Sequence, residues 1–241
     1  MKMKRKPLKS LLFLGTTYLY GIFIGVIFHL LKLLKIIKVP HWDSFPHWQR
    51  KIILASNHPS LLEPFLLPAL FFPEYLFSPF KYAPWSTPDR NNFYKPWYWF
   101  WLRSRAIPVN RGNTREELRA LFQMKKVLDS DGIIILFPEG GRTFRGDDFL
   151  YSRSGKRIRV LKSGIGWLAL KTKAQVVPVW VEGTDGVLPN SPHRLFSWLR
   201  FRNKITIKIG YPLRFPVSPN DGKEEITQNI AQALLKLAEE E

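Results

Sequence analysis

At 241 residues, 45% of them hydrophobic, the chain has room for one globular domain with a full core and an appendage. It contains no cysteine, which excludes disulfides and thiolate metal sites, and its five histidines (29, 41, 47, 58 and 193) lack metal-ligand spacing, so no metal is expected. Lysine and arginine number 37 against 19 acids, and the resulting charge of +18 attracts polyanions, either nucleic acid or an anionic membrane surface.

Residues Leu11 to Leu31 are almost wholly apolar. As a helix this stretch would be about 31 Å long, near the thickness of a hydrocarbon core. A signal peptide normally has an apolar region of roughly 7–15 residues and a small-residue cleavage site, and neither fits. Lys2, Lys4, Arg5, Lys6, Lys9, Lys32, Lys35 and Lys38 flank the stretch, which favours a membrane as the polyanion. The alternative is a buried core helix, although such helices rarely carry basic clusters at both ends. Lys32-Leu-Leu-Lys35-Ile-Ile-Lys38 reads as an amphipathic, interfacial continuation with its lysines reaching towards headgroups. Residues 1–40 are therefore expected to be a membrane-associated segment and 41–241 the globular domain. Lysines at both ends leave the orientation open.

Pro40 to Arg50 is a linker with tryptophans, and Ile52-Ile53-Leu54-Ala55 follows as a short buried strand. That strand delivers Asn57-His58-Pro59-Ser60-Leu61-Leu62-Glu63. An imidazole titrates near neutral pH and can take a proton from a hydroxyl, while a carboxylate partner sets its tautomer and steadies the imidazolium. In a regular helix, positions five apart point about 140° away from each other. The pair therefore needs His58 in the loop and Glu63 about one turn into the next element. A competing interpretation makes Ser60-x-x-Glu63 a capping box and His58 a solvated loop residue. Pro64 argues against a plain box, because at the fourth helical position it would remove a needed N–H.

Pro64 to Phe72 continues as a short apolar helix interrupted by Pro68, and Phe80-Lys81-Tyr82-Ala83 as a second strand. Trp97 to Trp101 are consecutive aromatics, suited either to a membrane–water boundary or to buried packing. Arg105 to Val109 reads as a strand. Thr114-x-x-Glu117 is a capping box opening a helix with Leu118, Leu121, Phe122, Val127 and Leu128 inward, and Asp131-Gly132 ends it. Ile133 to Phe137 is a continuous apolar strand, as a sheet covered on both faces requires. Residues 144–160 are expected to be a polar, mobile loop. A helix over Ser163–Thr172 and a buried strand over Val176–Val181 follow. Ile205 to Ile209 alternates, which suggests a more exposed strand at a sheet edge. Ser218-Pro219 starts a last amphipathic helix with Ile226, Ile230, Leu234 and Leu237 inward. Helices alternating with apolar strands imply an α/β fold, a largely parallel central sheet flanked by helices.

Four blocks then stand in order: Asn57-His58 to Glu63, Ile107-Pro-Val-Asn-Arg111-Gly112, Phe137-Pro138-Glu139-Gly140-Gly141-Arg142-Thr143, and Val177-Pro178-Val179. Across about residues 50–182 they resemble the glycerolipid acyltransferase family, whose best-known members acylate 1-acylglycerol-3-phosphate. The family pattern is N-H-x-x-x-x-D, an arginine block, F-P-E-G-x-R-[ST] and V-P-V. One departure is Glu63 where the family has aspartate; a longer carboxylate can still hold an imidazole.

The resemblance implies a membrane-bound O-acyltransferase. It would move a fatty acyl group from acyl-CoA or acyl carrier protein to a lysophospholipid hydroxyl, with no cofactor beyond the donor. His58 would be the base and Glu63 its orienting partner, with no covalent acyl-enzyme, in keeping with the lack of cysteine and of a G-x-S-x-G elbow. Arg142, and after it Arg111, would hold the acceptor phosphate through guanidinium forks. Gly140 and Gly141 would let the backbone turn and approach substrate. Glu139 would anchor the loop or bond acceptor hydroxyls, with Thr143 beside it; alternatively Glu139 and Arg142 form a salt bridge that shapes the turn. The partners implied are anionic membrane lipids, the lysophospholipid and the thioester, not nucleic acid. Cytosolic donors favour a domain facing the cytoplasm, reached by a hairpin, an in-plane helix or an inverted span. Competing readings are an acyltransferase for another lipid hydroxyl, and a cationic membrane- or nucleic-acid-binding protein whose site is inactive.

Overall fold

Alternation along the buried strands sets the architecture. In the computed structural model, which describes residues 11–93, 97–188, 204–215 and 222–240, Ile52 and Leu54 face one side of the sheet and Ile53 and Ala55 the other. Both faces are therefore apolar and both must be covered. The strands are β1 (Ile37–Lys38), β2 (Ile52–Ser56), β3 (Ile133–Leu136), β4 (Phe149–Tyr151), β5 (Arg157–Arg159), β6 (Gln175–Glu182) and β7 (Ile205–Ile209). Five of them form one sheet in the order β1-β7-β6-β2-β3, and β4 and β5 pair separately. Within the sheet every pairing is parallel except β6 with β7, which confirms a largely parallel sheet.

The longer helices are α1 (Leu19–Leu33), α2 (Thr114–Asp129), α3 (Gly164–Thr172) and α4 (Lys223–Glu239). α2, α3 and α4 cover one face, packing Met124, Leu128, Ile165, Leu168, Ile230 and Leu234 on Ile53, Ile134 and Val176. α1 and the turns around Leu67–Phe71 cover the other, setting Phe28, Leu70 and Phe71 on Ile52, Leu54 and Val179. Ile226, Ile230, Leu234 and Leu237 of α4 are all buried, as their spacing requires.

The N-terminal helix meets both expectations in part. From residue 11 it runs through a π-helical stretch, Leu14–Tyr18, into α1, and Leu11–Leu33 is long and apolar enough to cross a membrane. Phe13 and Phe28 are buried against the domain, whereas Leu19, Phe23, Val26, Leu30 and Leu33 are exposed. The expected interfacial continuation over Lys32–Lys38 does not form. Lys35 adopts φ +58°, the Lys35 N–H donates to the Lys32 carbonyl (3.0 Å) and the Ile36 N–H to the Leu31 carbonyl (3.0 Å), so a Schellman motif ends the helix. Ile37 and Lys38 then join β7, inside the span read as membrane segment. The basic cluster from Lys2 to Lys9 lies outside the described residues.

Other expectations change for identifiable reasons. β7 is not the edge, because β1 covers it, and the Lys208 side chain is buried with its ammonium 3.4 Å from both Glu182 and the Ala238 carbonyl. Phe80 to Ala83 is not a strand: Pro79, with its preset φ, opens a helical turn, Pro79–Tyr82, on which Lys81 is exposed. Arg105 to Val109 makes only single bridges, Ala106 to Ser86 and Val109 to Asp89, since Pro108 has no N–H to extend a ladder. The cap of α2 is Asn113, whose side-chain Oδ1 accepts from the Glu116 N–H at 3.1 Å, rather than Thr114. The buried stripe of α2 is Ala120, Met124 and Leu128, and Leu118 and Phe122 are exposed. Asp131 takes the left-handed position (φ +55°) after α2, and Gly132 does not. Residues 144–160, expected as a mobile loop, contain the β4–β5 hairpin, and the Ser154 N–H donates to Glu239 of α4 at 2.9 Å. Residues Trp97–Arg105 form a 3-10 helix; Lys95, the side chains of residues 98–101, His193 and Ser218-Pro219 lie outside what is described.

Candidate active site

Three parallel strands, β2, β3 and β6, end at the same edge of the sheet, the place where open α/β folds gather ligands. Beyond β2 the chain cannot continue as strand into Pro59, and Asn57 holds it in place. Its side-chain amide donates to the Val181 carbonyl (2.9 Å) and accepts from the Val181 N–H (2.7 Å), copying one rung of the β2–β6 ladder. His58 is thereby presented at the strand end, 7% exposed.

The loop brings His58 Nδ1 to 2.8 Å from Glu63 Oε2. A carboxylate can only accept, so Nδ1 carries the hydrogen and Nε2 is the nitrogen left for substrate. Glu63, at 0% exposure, opens the turn Glu63–Leu66 and also receives the Ser60 N–H (3.1 and 3.2 Å), the Ser60 hydroxyl (2.8 Å) and the Thr184 hydroxyl. The two interpretations of Glu63 are thus both present: it caps like the reciprocal half of a capping box and it holds the imidazole. Pro64 falls in the first turn, where no backbone N–H is needed.

After β3 the second loop wraps the first. Phe137 stacks on the His58 ring with centroids 4.2 Å apart. Glu139, 2% exposed, takes the His58 N–H (2.9 Å), the Thr143 hydroxyl (2.8 Å) and the Arg159 N–H (2.9 Å). Burial pushes its carboxyl up and these three donors oppose the shift. The Thr143 N–H returns to the His58 carbonyl at 3.0 Å, closing the two loops together. Glu139 is therefore a loop anchor buried between the strands.

The cations stand around the glycines. Gly140 adopts φ +68°, which favours glycine, and a side chain on Gly141 would run into the guanidinium of Arg159 and lie 3.8 Å from that of Arg111. Arg111 approaches Asp89 only to 3.9 Å. Burial pulls its guanidinium down from its ordinary value, Arg159 adds to that, and Asp89 opposes. Arg142 lies over the Phe144 ring, 4.9 Å from the centroid. Burial, and then Arg145, pull it down, while the Glu63 carboxylate opposes. Two neighbouring guanidiniums at Gly141 and a third near the dyad make a place that an anion would steady.

All eight residues picked from the sequence, His58, Glu63, Arg111, Glu139, Gly140, Gly141, Arg142 and Thr143, come to this one edge. Sequence reasoning missed Thr184 and Arg159 as partners in it. Ser60 was named there only as the head of a capping box, and it does bond Glu63. Thr184 and Arg159 carried no local signal.

Comparison with known proteins bears on the family and the fold. A family model described as acyltransferase matches residues 36–182, well over half of the chain. A curated 1-acyl-sn-glycerol-3-phosphate acyltransferase of Chlamydomonas reinhardtii is 24% identical over 193 residues, covering 80% of this chain, which spans about half (50%) of that relative's length. The crystal structure of the 1-acyl-sn-glycerophosphate acyltransferase PlsC from Thermotoga maritima shares the fold, with a TM-score of 0.56 at 18% identity over 100% of this chain and 99% of that one. The family model covers β1 through β6 and both loops that hold the His58–Glu63 pair, and the chain belongs to the acyltransferase family.

Proposed function

We propose that the protein transfers a fatty acyl group from a thioester, acyl-CoA or acyl carrier protein, to the hydroxyl of 1-acylglycerol-3-phosphate, giving phosphatidate. The observation that carries this reading is the buried His58–Glu63 pair at 2.8 Å, with the arginine-flanked glycine loop beside it. His58 Nε2 takes the acceptor's proton as its oxygen attacks the thioester carbonyl. The C–O bond forms, the C–S bond breaks, and the same proton passes to the leaving sulfur. Glu63 holds Nδ1–H and balances the imidazolium. Arg142 and Arg111 grip the phosphate, and the glycines let the backbone come close to it. An apolar cavity of about 100 Å³ between the N-terminal helix and Pro64, Phe65 and Ile135 suits an acyl chain. Purified protein offered a panel of lysophospholipid and neutral acceptors with each donor, followed by lipid mass spectrometry, tests the assignment. Absence of phosphatidate from every donor would overturn it.

The phosphate grip makes a prediction. Arg142→Lys keeps the charge and loses the bidentate fork, so kcat/KM is expected to fall about tenfold or more for the phosphorylated acceptor and less for a neutral one. Equal losses for both acceptors would make Arg142 a structural residue.

The exposed apolar side of the N-terminal helix supports membrane embedding, with the catalytic domain on the cytoplasmic side where soluble thioesters are found. Apolar burial contributes about 25 cal/mol per Å² and is not screened, whereas attraction of lysines to anionic lipid is. High salt is expected to leave the full-length protein on vesicles. Replacing Leu19, Phe23, Val26 and Leu30 together by glutamine is expected to make it salt-extractable without changing its circular dichroism. Release of the unaltered protein by salt alone would show that this face is not embedded.

A further inference from the structure

The carboxyl edge of the sheet opens onto two cavities, one on each face. Ile135 of β3 lines the small one beside the N-terminal helix, and the next residue, Leu136, lines another of about 630 Å³ between α2 and α3. Successive strand residues point to opposite faces, so the sheet stands between the cavities, with its carboxyl edge bordering both. At that edge sits Phe137, which lines the larger cavity and stacks on His58.

The linings differ in kind. The small cavity is walled largely by apolar and aromatic side chains of the N-terminal helix and the loop after Glu63. The larger one sets Arg111, Lys162 and Lys223 around Leu118, Phe122 and Trp167. Phe122 meets Trp167 edge-on, with centroids 5.6 Å apart. Glu117 is the acid in this lining, 3.4 Å from Lys162, so the wall keeps a positive balance. The first turn of α3 (Ser163, Gly164, Ile165) also lines it, presenting the positive end of a helix. Phe122 and Leu118 are 54% and 50% exposed, apolar surface turned to this opening instead of the core.

A thioester donor carries an apolar chain on one side of its reacting carbon and a water-soluble handle on the other. Granting the acyltransferase reading, on which this rests, we propose that the cavity between α2 and α3 binds the nucleotide end of a CoA thioester. The purine lies against Phe122 and Trp167, as a flat ring does on aromatic side chains. The phosphates lie on Lys162 and Lys223. The pantetheine arm runs past Phe137 to place the thioester at His58, and the acyl chain continues on the opposite face of the sheet. A lysophospholipid has no ring for Phe122 and Trp167 and bears its phosphate close to its reacting hydroxyl, so of the basic side chains in this lining it uses Arg111 and leaves Lys162 and Lys223 to the donor.

Free CoA, which has no acyl chain to partition into micelles, is the probe, titrated calorimetrically into the full-length protein in detergent. Lys223→Glu and Phe122→Ser, both on side chains open to solvent, are each expected to weaken CoA about tenfold. They should raise KM for acyl-CoA in proportion, against little change in kcat or in KM for the acceptor, and affect transfer from an acyl-pantetheine, which lacks the nucleotide, much less. CoA affinity unchanged in both variants overturns the proposal, as does a loss that is equal with acyl-CoA and acyl-pantetheine. A donor role for acyl carrier protein alone, with CoA failing to bind the unaltered protein, overturns it as well. If CoA binding falls in the variants yet no donor supports transfer, the site stands and the acyltransferase reading fails.

Discussion

His58→Ala is expected to cut acyl transfer by about 10²–10⁴-fold, the usual scale for loss of a general base, with little change in melting temperature. The fold has reasons to tolerate the change. Glu63 loses one partner but still receives the Ser60 N–H, the Ser60 hydroxyl and the Thr184 hydroxyl, so its carboxylate is not stranded. The backbone N–H of residue 58 keeps its bond to Glu139, and the carbonyl its bond from Thr143. Stacking on Phe137 is lost, a modest term of about 0.5–1.5 kcal/mol. Near-normal turnover in folded His58→Ala protein would rule out the mechanism.

Glu63→Ala is expected to damage both rate and stability, which sets it apart. Its carboxylate is wholly buried and satisfies donors from His58, Ser60 and Thr184. Alanine strands those donors, each at about 1–3 kcal/mol when left without a partner. A drop of at least about 3 kcal/mol in unfolding free energy is therefore expected, together with a rate loss approaching that of His58→Ala. Glu63→Gln keeps the shape without the charge and should recover most of the stability and little of the rate. Glu63→Asp keeps the charge on a shorter arm; it can serve the imidazole or the Ser60–Thr184 side fully, not both, and should fall in between. Unchanged turnover in a destabilised Glu63→Ala protein would leave this residue a cap and nothing more. Rate and denaturant midpoint, measured on all three variants, separate the outcomes.

What could be read from the chain itself was whatever depends on near neighbours. The apolar runs at 52–55, 133–136 and 176–181 are strands, short and continuous as a doubly covered sheet requires, and α4 buries the stripe its 3.6-residue period marks. The first three blocks mark segments gathered at the carboxyl edge, and the fourth lies within β6, so the eight candidate residues, all from the first three, were legible before the fold. What depended on distant segments was not. Thr184 reaches Glu63 across 121 positions and Asn57 meets Val181 across 124, and no local pattern encodes either pairing. The alternating run of β7 looked like an edge because its covering strand is only two residues long and was hidden in a lysine-rich helix end. Of the five α2 residues expected inward, Leu128 is buried and Leu121 and Val127 pack on the core, while Leu118 and Phe122, as apolar as any core residue, line a cavity. Hydrophobicity tells which side chains leave water, but only the packing of sheet, helices and loops determines whether they meet a core, a membrane or a ligand.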